Sequence, residues 1–162
     1  MNKFTIKTVT ENDCQQLATM VGQLLTEIIN SDTQVAYQYD VNKGAVLAKL
    51  LIEQGRYWAF IAWDQSTNSP AGFIALTEGH ALYTQGAYGT ITELYVQQQW
   101  RSADIGKALI EQAKQFAKRR QWQRLEVTTP QLPEFNRSLA FYQNNGFSSS
   151  GGAKLKAVIP PQ

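Results

Sequence analysis

Apolar residues recur along this chain at two spacings, one typical of helices and the other typical of strands. Helical spacing predicts a first helix after Thr10, with its apolar positions between residues 17 and 29. It also predicts a second helix over residues 45–54 and a third from residue 104. Strands are predicted near residues 4–9, 57–63, 71–77, 89–96, 124–129 and 154–159, and a last helix ends at Gly146.

The order of these elements predicts a mixed α/β sheet with helices on both faces. Residues 78–87, which contain two glycines, are predicted to be a loop between the third and fourth strands. The chain has 162 residues, which is the ordinary size of one domain. We therefore expect residues 1–162 to form a single domain.

Composition narrows the class of protein. The chain is 43% apolar and 17% charged, which is typical of a globular protein. Its net charge of +2 is too small to indicate a nucleic-acid partner. Cys14 is the single cysteine, so no intrachain disulfide can form. No apolar run approaches the roughly 18 residues of a membrane span, so we expect a soluble, cytoplasmic protein without a membrane partner.

Two short segments carry the candidate chemistry. Residues 101–106, Arg-Ser-Ala-Asp-Ile-Gly, form a turn before the third helix, where free N–H groups and the helix dipole favour an anion. Residues 141–147, Phe-Tyr-Gln-Asn-Asn-Gly-Phe, end the last helix and include the hydroxyl of Tyr142, a proton donor. Together they predict a phosphate-bearing cofactor beside an acid. The alternative for the first segment is a polar turn in which Asp104 caps the helix.

In their order and spacing, these segments resemble the GNAT superfamily of acyl-CoA-dependent N-acyltransferases. That family has an Arg/Gln-x-x-Gly-x-Gly/Ala turn after its fourth strand and a Phe-Tyr-x-x-x-Gly-Phe ending on its last helix. The resemblance covers residues 89–147 and implies a mixed, mostly antiparallel sheet of six to seven strands. It implies that acetyl-CoA is the cosubstrate and that strand backbone binds the pantetheine arm and the oxyanion. The implied cofactor-binding residues are Leu94, Tyr95, Val96, Arg101, Ser102, Ala103, Asp104, Ile105, Gly106, Lys107, Asn136 and Tyr142.

The resemblance also implies an acid, and the residues suggest a base. Tyr142 would protonate the leaving CoA sulfur, although a tyrosine on an apolar helix face is often a core residue. Glu93 is the best candidate for the base, because a carboxylate in a mostly apolar strand has a raised pKa. The alternative is that Glu93 faces solvent or pairs with an arginine. Glu78 and His80 are weaker candidates for the base.

The chain departs from the family pattern at the phosphate turn. Asp104 and Ser102 stand where glycine is usual, and Asn136 lies one residue closer to Tyr142 than the family's asparagine does. Glycine lets the backbone approach a phosphate closely. We expect Asp104 to reduce cofactor affinity unless its carboxylate turns back to cap the helix.

The acceptor is predicted to enter opposite CoA, over the first two helices and the loop after the third strand. Aromatic side chains there suit a flat or cationic amine, and carboxylates there would attract a polyamine or an aminoglycoside. Trp58 and Tyr88 are better interpreted as core residues. The aromatic and histidine candidates are Tyr37, Tyr39, Trp58, His80, Tyr83, Tyr88 and Tyr95, and the acidic ones are Asp32, Asp40, Glu78 and Glu93.

These observations favour an N-acetyltransferase that acetylates a primary amine of a small molecule by direct attack, with no metal. The alternatives are a CoA-binding sensor with little catalysis, a protein or peptide N-acetyltransferase, and an interaction module without a ligand. Exposed strand edges near the C-terminus are compatible with a homodimer.

Overall fold

The computed structural model describes residues 3–31, 38–101, 103–130 and 136–162. The chain divides into two compact units, Met1–Val127 and Thr128–Gln162, which are described separately. The first unit contains β1 (Phe4–Thr8), α1 (Cys14–Ser31), α2 (Val41–Glu53), β2 (Trp58–Asp64), β3 (Ser69–Ala81), β4 (Gly86–Val96), α3 (Ile105–Arg119) and β5 (Leu125–Val127), and the second contains α4 (Asn136–Asn144).

Within the described residues, five strands form one sheet in the order β1-β2-β3-β4-β5. The first three pairs are antiparallel and β4–β5 is parallel, so the predicted mixed, mostly antiparallel class is confirmed. The prediction of six to seven strands was too high. Residues 154–159, predicted as a final strand, have no regular secondary structure, and Leu155 is 90% exposed. Apolar alternation makes a strand only when a neighbour satisfies its N–H and C=O groups.

The apolar patterns explain how helices cover the sheet. Leu17 and Met20 of α1 join one buried cluster with Ile61 and Phe73, which lie on one face of the sheet. The alternate strand residues point to the opposite face, where Leu109 and other apolar residues of α3 are buried. None of the helices in the described part of the chain has the length and apolar character needed to cross a bilayer.

The predicted loop at residues 78–87 is instead the end of a β-hairpin. β3 continues to Ala81 and β4 begins at Gly86, so four residues form the turn. The two glycines that suggested a loop have packing and turn roles. A Cβ on Gly79 would lie 2.7 Å from the Tyr88 ring across the strand pair, and Gly86 follows a residue with positive φ.

A β-bulge interrupts β4 near its middle. Ala75 pairs with Glu93 but the next residue of β3, Leu76, pairs with Ile91, so Thr92 is the extra residue on β4. The insertion reverses the alternation of side chains along the strand. Glu93 consequently shares a face with Ala75, on the α1 and α2 side, whereas Ile91 faces the α3 side with Leu76.

The second unit has one helix and an extended tail. α4 ends as predicted at Gly146, which has a φ of 94°, and the Phe147 N–H donates to the Tyr142 carbonyl at 3.0 Å. The ring of Tyr142 lies 5.4 Å from that of Phe141 and 5.5 Å from that of Phe147. These aromatic contacts fix the tyrosine at the end of the helix.

Candidate functional site

The edge of β4 that faces away from β3 is open beyond the bulge. β5 pairs with β4 only at residues 89–91, and no other described strand pairs with residues 92–96 on that side. The Gln97 N–H donates to Ala71 of β3, whereas the Val96 carbonyl accepts from a side chain on the other side. By alternation, the main-chain groups of Leu94 and Val96 point to the open edge and those of Tyr95 point to β3.

The turn after β4 leads to α3. Ser102 lies outside the described residues, Ala103 and Asp104 are exposed, and Ile105 is buried beneath the helix. Gly106 and Lys107 belong to the first turn of α3, whose N–H groups have no intrahelical acceptor. The described part of the turn therefore leaves backbone N–H groups at the positive end of the helix dipole, and anion binding by this turn stays a prediction.

Asp104 does not cap α3. It has φ 59° and ψ 21°, in the left-handed region that favours glycine, and its side chain makes no cap hydrogen bond. The alternative prediction, in which the Asp104 side chain caps the helix, is therefore wrong. Its exposed carboxylate stands at the helix N-terminus, where it adds negative charge to a site that otherwise attracts anions.

Arg101 connects this turn to α1. Its Nε donates to the Val96 carbonyl at 2.8 Å, and its two terminal nitrogens donate to the Glu27 carboxylate at 2.8 Å each. The guanidinium also lies 5.6 Å from the centre of the Tyr95 ring. The hydrogen bonds that Arg101 donates to the Glu27 carboxylate raise the pKa of Arg101. In this conformation the arginine clamps the end of β4 to α1 and its charge is matched by a carboxylate.

Glu93 lies half-buried on the α1 and α2 side of β4. The Tyr57 hydroxyl, at the start of β2, donates to its carboxylate at 3.1 Å. Burial raises the pKa of Glu93, and hydrogen bonds from Thr92 and Tyr57 oppose this change only in part. The same burial and the neighbouring carboxylate raise the pKa of Tyr57. A carboxylate with a raised pKa and a neutral partner has the properties of a general base.

The weaker candidates for the base have other roles in the structure. Glu78 accepts the indole N–H of Trp122 at 2.5 Å and two N–H groups of Arg120 at 3.1 and 3.2 Å. These hydrogen bonds, the indole first, hold the pKa of Glu78 below its ordinary value. His80 is exposed and lies 3.8 Å from Glu78. The contacts of Glu78 with Arg120 and Trp122 connect β3 to the C-terminal end of α3, away from Glu93.

A cleft of about 600 Å³ opens beside α1, on the same side of the sheet as Glu93. Tyr39 and Tyr95, both predicted acceptor residues, line it. The Tyr39 hydroxyl donates to the Ala18 carbonyl at 3.0 Å, and burial, followed by the charge of Glu93, raises the Tyr39 pKa. Glu93 is not part of the lining, but Tyr39, which lines the cleft, is close enough for the charge of Glu93 to raise its pKa.

The other predicted acceptor residues lie elsewhere. Trp58 packs against Phe116 and Trp122 in an aromatic cluster and Tyr88 packs on Gly79, but both side chains are only partly buried. Tyr83 is 73% exposed at the tip of the hairpin. Asp32 and Tyr37 lie outside the described residues.

The second unit holds the candidate acid. Tyr142 is buried, and this burial raises its pKa to about 12. The phenol therefore stays protonated at neutral pH and can donate a proton. Asn136 is the first residue of α4 and is exposed. Within the described residues, no group of three histidine, cysteine, aspartate or glutamate side chains could hold a metal ion.

Sequence analysis missed three features of this site: the bulge at Thr92, the Tyr57 hydroxyl beside Glu93, and the Arg101 clamp. The pairing of Tyr57 with Glu93 joins residues 36 positions apart, so no local pattern signals it. The bulge has a weak signal, because the apolar alternation of β4 shifts by one residue after Ile91.

Comparisons with known proteins show the family of this chain and its fold. The family model described as an acetyltransferase (GNAT) domain matches residues 53–149. No curated protein sequence matches the chain significantly.

Several solved structures are similar in fold. An aminoglycoside acetyltransferase from an uncultured soil metagenomic sample, in complex with sisomicin, has 18% identity and a TM-score of 0.75, covering 98% of both chains. A ribosomal-protein-alanine N-acetyltransferase from Brucella melitensis has 19% identity and a TM-score of 0.70, covering 96% of this chain and 99% of that chain. A predicted acetyltransferase with acetyl-CoA from Clostridium acetobutylicum has 14% identity and a TM-score of 0.76, covering 94% and 96%. At these identities the likeness shows the fold alone.

Proposed function

Because this chain belongs to the GNAT family of acetyltransferases, we propose that it transfers the acetyl group of acetyl-CoA to a primary amine of a small molecule. The observation that carries the proposal is the position of Glu93. Its half-buried carboxylate, with Tyr57 as a neutral partner, lies on the strand whose open edge leads to the N-terminus of α3. A base thus stands next to a backbone edge and an anion-binding helix end.

Acetyl-CoA fits the open edge of β4 and the N-terminus of α3, but the carboxylate of Asp104 opposes its diphosphate. The main-chain groups of Leu94 and the N–H of Val96 would bind the pantetheine arm as a neighbouring strand would. The first-turn amides of α3, from Ile105 to Lys107, would hold the diphosphate together with the residues of the turn before them. The exposed carboxylate of Asp104 opposes the same diphosphate, so we expect moderate affinity.

The reaction requires a neutral amine. Glu93 takes a proton from the ammonium group, and the amine nitrogen then attacks the thioester carbon to form the C–N bond. The carbonyl oxygen becomes an oxyanion, which a backbone N–H at the open edge near Leu94 stabilises. The nitrogen releases its second proton as the intermediate collapses, which yields the amide.

Collapse of the intermediate breaks the C–S bond, and Tyr142 donates a proton to the sulfur to give CoA. The pKa of Tyr142, about 12, is above that of an ordinary thiol. Donation therefore has to accompany C–S cleavage as charge develops on sulfur. The phenol recovers its proton through solvent from the proton that the nitrogen lost, and Glu93 releases its own proton, so one proton is produced per turnover.

A combined binding and activity experiment tests the proposal. Thermal unfolding of the full chain with acetyl-CoA should give an upward shift that adenosine does not reproduce. Thiol release should then depend on a primary amine, and Glu93→Gln should lower kcat/KM by roughly a hundredfold without changing the Kd for CoA. Glu111→Gln, an exposed change on α3, is the matched control. Absence of a shift with acetyl-CoA would overturn the transferase proposal.

One observation favours a second function, a CoA-binding sensor with little catalysis. Asp104, whose carboxylate makes no cap hydrogen bond, and the shifted Asn136 both depart from the pattern that the family uses to bind its cofactor. A sensor and an enzyme would differ in how thiol release responds to substitutions. Acetyl-CoA would stabilise the fold, but Tyr142→Phe and Glu93→Gln would leave the slow background rate of thiol release unchanged.

A further inference from the structure

The cleft beside α1 is polar but nearly uncharged. Among the described residues that line it, Glu27 is the single charged side chain, and both of its oxygens accept hydrogen bonds from Arg101 at 2.8 Å. The remaining polar groups of the lining are neutral hydroxyls, phenols and amides. They are Thr19, Gln23, Thr26, Tyr39, Tyr95 and Gln98.

Of the other predicted acidic residues, Asp40 and Glu78 are described by the structure and are engaged, whereas Asp32 lies outside the described residues. Asp40 caps α2 by accepting the Lys43 N–H at 3.1 Å, and Glu78 is held by Arg120 and an indole on the α3 side. Glu93 differs from these, because its hydrogen-bond partners in the described structure are hydroxyl groups and not cations. Among the predicted carboxylates that the structure describes, Glu93 is thus left to receive one ammonium group.

A smaller groove continues from the cleft along α1. It has a volume of about 360 Å³ and shares Thr19 and Gln23 with the cleft. Its lining contains no charged residue among those that the structure describes, and most of it consists of side-chain amides. Amides supply both donors and acceptors, so this surface is suited to hydroxyl or amide groups and offers nothing to a second ammonium group.

We propose that the acceptor carries its primary amine on a neutral body rich in hydroxyl or amide groups, such as an amino sugar, and is not a polycation. This inference rests on the proposed function of Glu93. The amine would approach Glu93, and the neutral body would lie in the α1 cleft against Gln23 and its neighbours. A polyamine would need two or more carboxylates spaced along the cleft, and Glu27 is already neutralised by the Arg101 clamp.

Binding of two probes tests the inference directly. Saturation-transfer NMR titrations of the full chain with CoA present would give the Kd of D-glucosamine and of spermidine. We expect glucosamine to bind more tightly, with little dependence on salt, because no array of charges attracts it. Tighter binding of spermidine, or a failure of glucosamine to bind, would overturn the inference.

A charge introduced into the cleft provides the matched variant. Gln23→Glu should strengthen spermidine binding by roughly fivefold, the effect of one added exposed ion pair, and leave glucosamine within about twofold. Gln115→Glu, the same substitution on the exposed side of α3, should change neither. If Gln23→Glu leaves spermidine binding unchanged, the acceptor does not occupy this cleft and the inference fails.

The thiol-release assay separates the two proposals. Transfer to spermidine in preference to glucosamine would refute the selectivity argued here and leave the transferase intact. Binding of glucosamine without acetyl transfer to any amine would refute the transferase and support the selectivity of the cleft.

Discussion

Removal of the charge at Asp104 should strengthen CoA binding with little change in stability. The residue has left-handed backbone angles, an exposed carboxylate and no cap hydrogen bond. Asp104→Gly relieves backbone strain of about 1 kcal/mol, and the extra freedom of glycine in the unfolded chain offsets roughly the same amount. The expected net change in the free energy of unfolding is therefore within about 1 kcal/mol.

The electrostatic effect is larger for binding. A carboxylate about 7 Å from a diphosphate with two charges experiences roughly 1 kcal/mol of repulsion even at the dielectric constant of water. Its removal should lower the Kd for CoA about fivefold. The gain should shrink at high salt, because charges at this separation are screened over about 10 Å at moderate ionic strength.

Two companion variants separate charge from backbone. Asp104→Asn removes the charge but keeps a residue that tolerates left-handed angles, so it should give most of the gain that glycine gives. Glu111→Gln removes the same charge further along α3 and should change little. Calorimetry with CoA at low and high salt measures all three. If Asn and Gly variants bind CoA no better than the wild type, the α3 N-terminus is not the diphosphate site.

Four further predictions follow from other contacts. Tyr57→Phe removes a hydrogen bond that favours the carboxylate, so the pKa of Glu93 should rise further and the acid limb of kcat/KM should move to higher pH. Glu93→Gln should stabilise the fold at neutral pH. Because burial raises the pKa of Glu93 in the folded state, the wild type loses stability as the pH rises from the unfolded-state pKa through the folded-state pKa. Equal unfolding midpoints for the variant and the wild type at all pH values would refute this. Arg101→Lys and Arg101→Gln should destabilise about equally, by about 1 kcal/mol in urea, because lysine cannot reproduce the bidentate contact; full stability of the lysine variant would show that only the charge matters. Gly89→Ala should destabilise by about 1–3 kcal/mol in urea, since its Cβ would overlap the Trp122 ring, and an unchanged midpoint would contradict this packing.

The elements that could be predicted are those whose signal is local. α3 follows from apolar residues at helical spacing, and its buried face includes Leu109 and Ala113 as expected. The Gly146 stop depends on the left-handed conformation that glycine adopts readily. The candidate acid and the anion-binding turn also come from short local motifs, and their roles stay predictions.

The failures have a common physical origin in contacts between distant parts of the chain. Residues 154–159 alternate like a strand, but alternation does not supply a partner. Glu78 was a candidate base until Arg120 and Trp122, more than 40 positions away, were seen to hold its carboxylate. The side of the sheet on which Glu93 lies depends on a bulge, which is a property of the pairing of two strands.

The bulge also explains how one short strand segment can serve two reactants. In a regular strand Glu93 would share a face with Ile91 and point toward α3, into the apolar core. The extra residue turns its side chain toward the α1 cleft, while the main-chain groups of Leu94 remain directed to the open edge. The carboxylate and the backbone donors therefore point in roughly perpendicular directions from neighbouring residues. An amine approaching over the sheet and a thioester lying along its edge can meet at this point, which is the geometry that direct transfer requires.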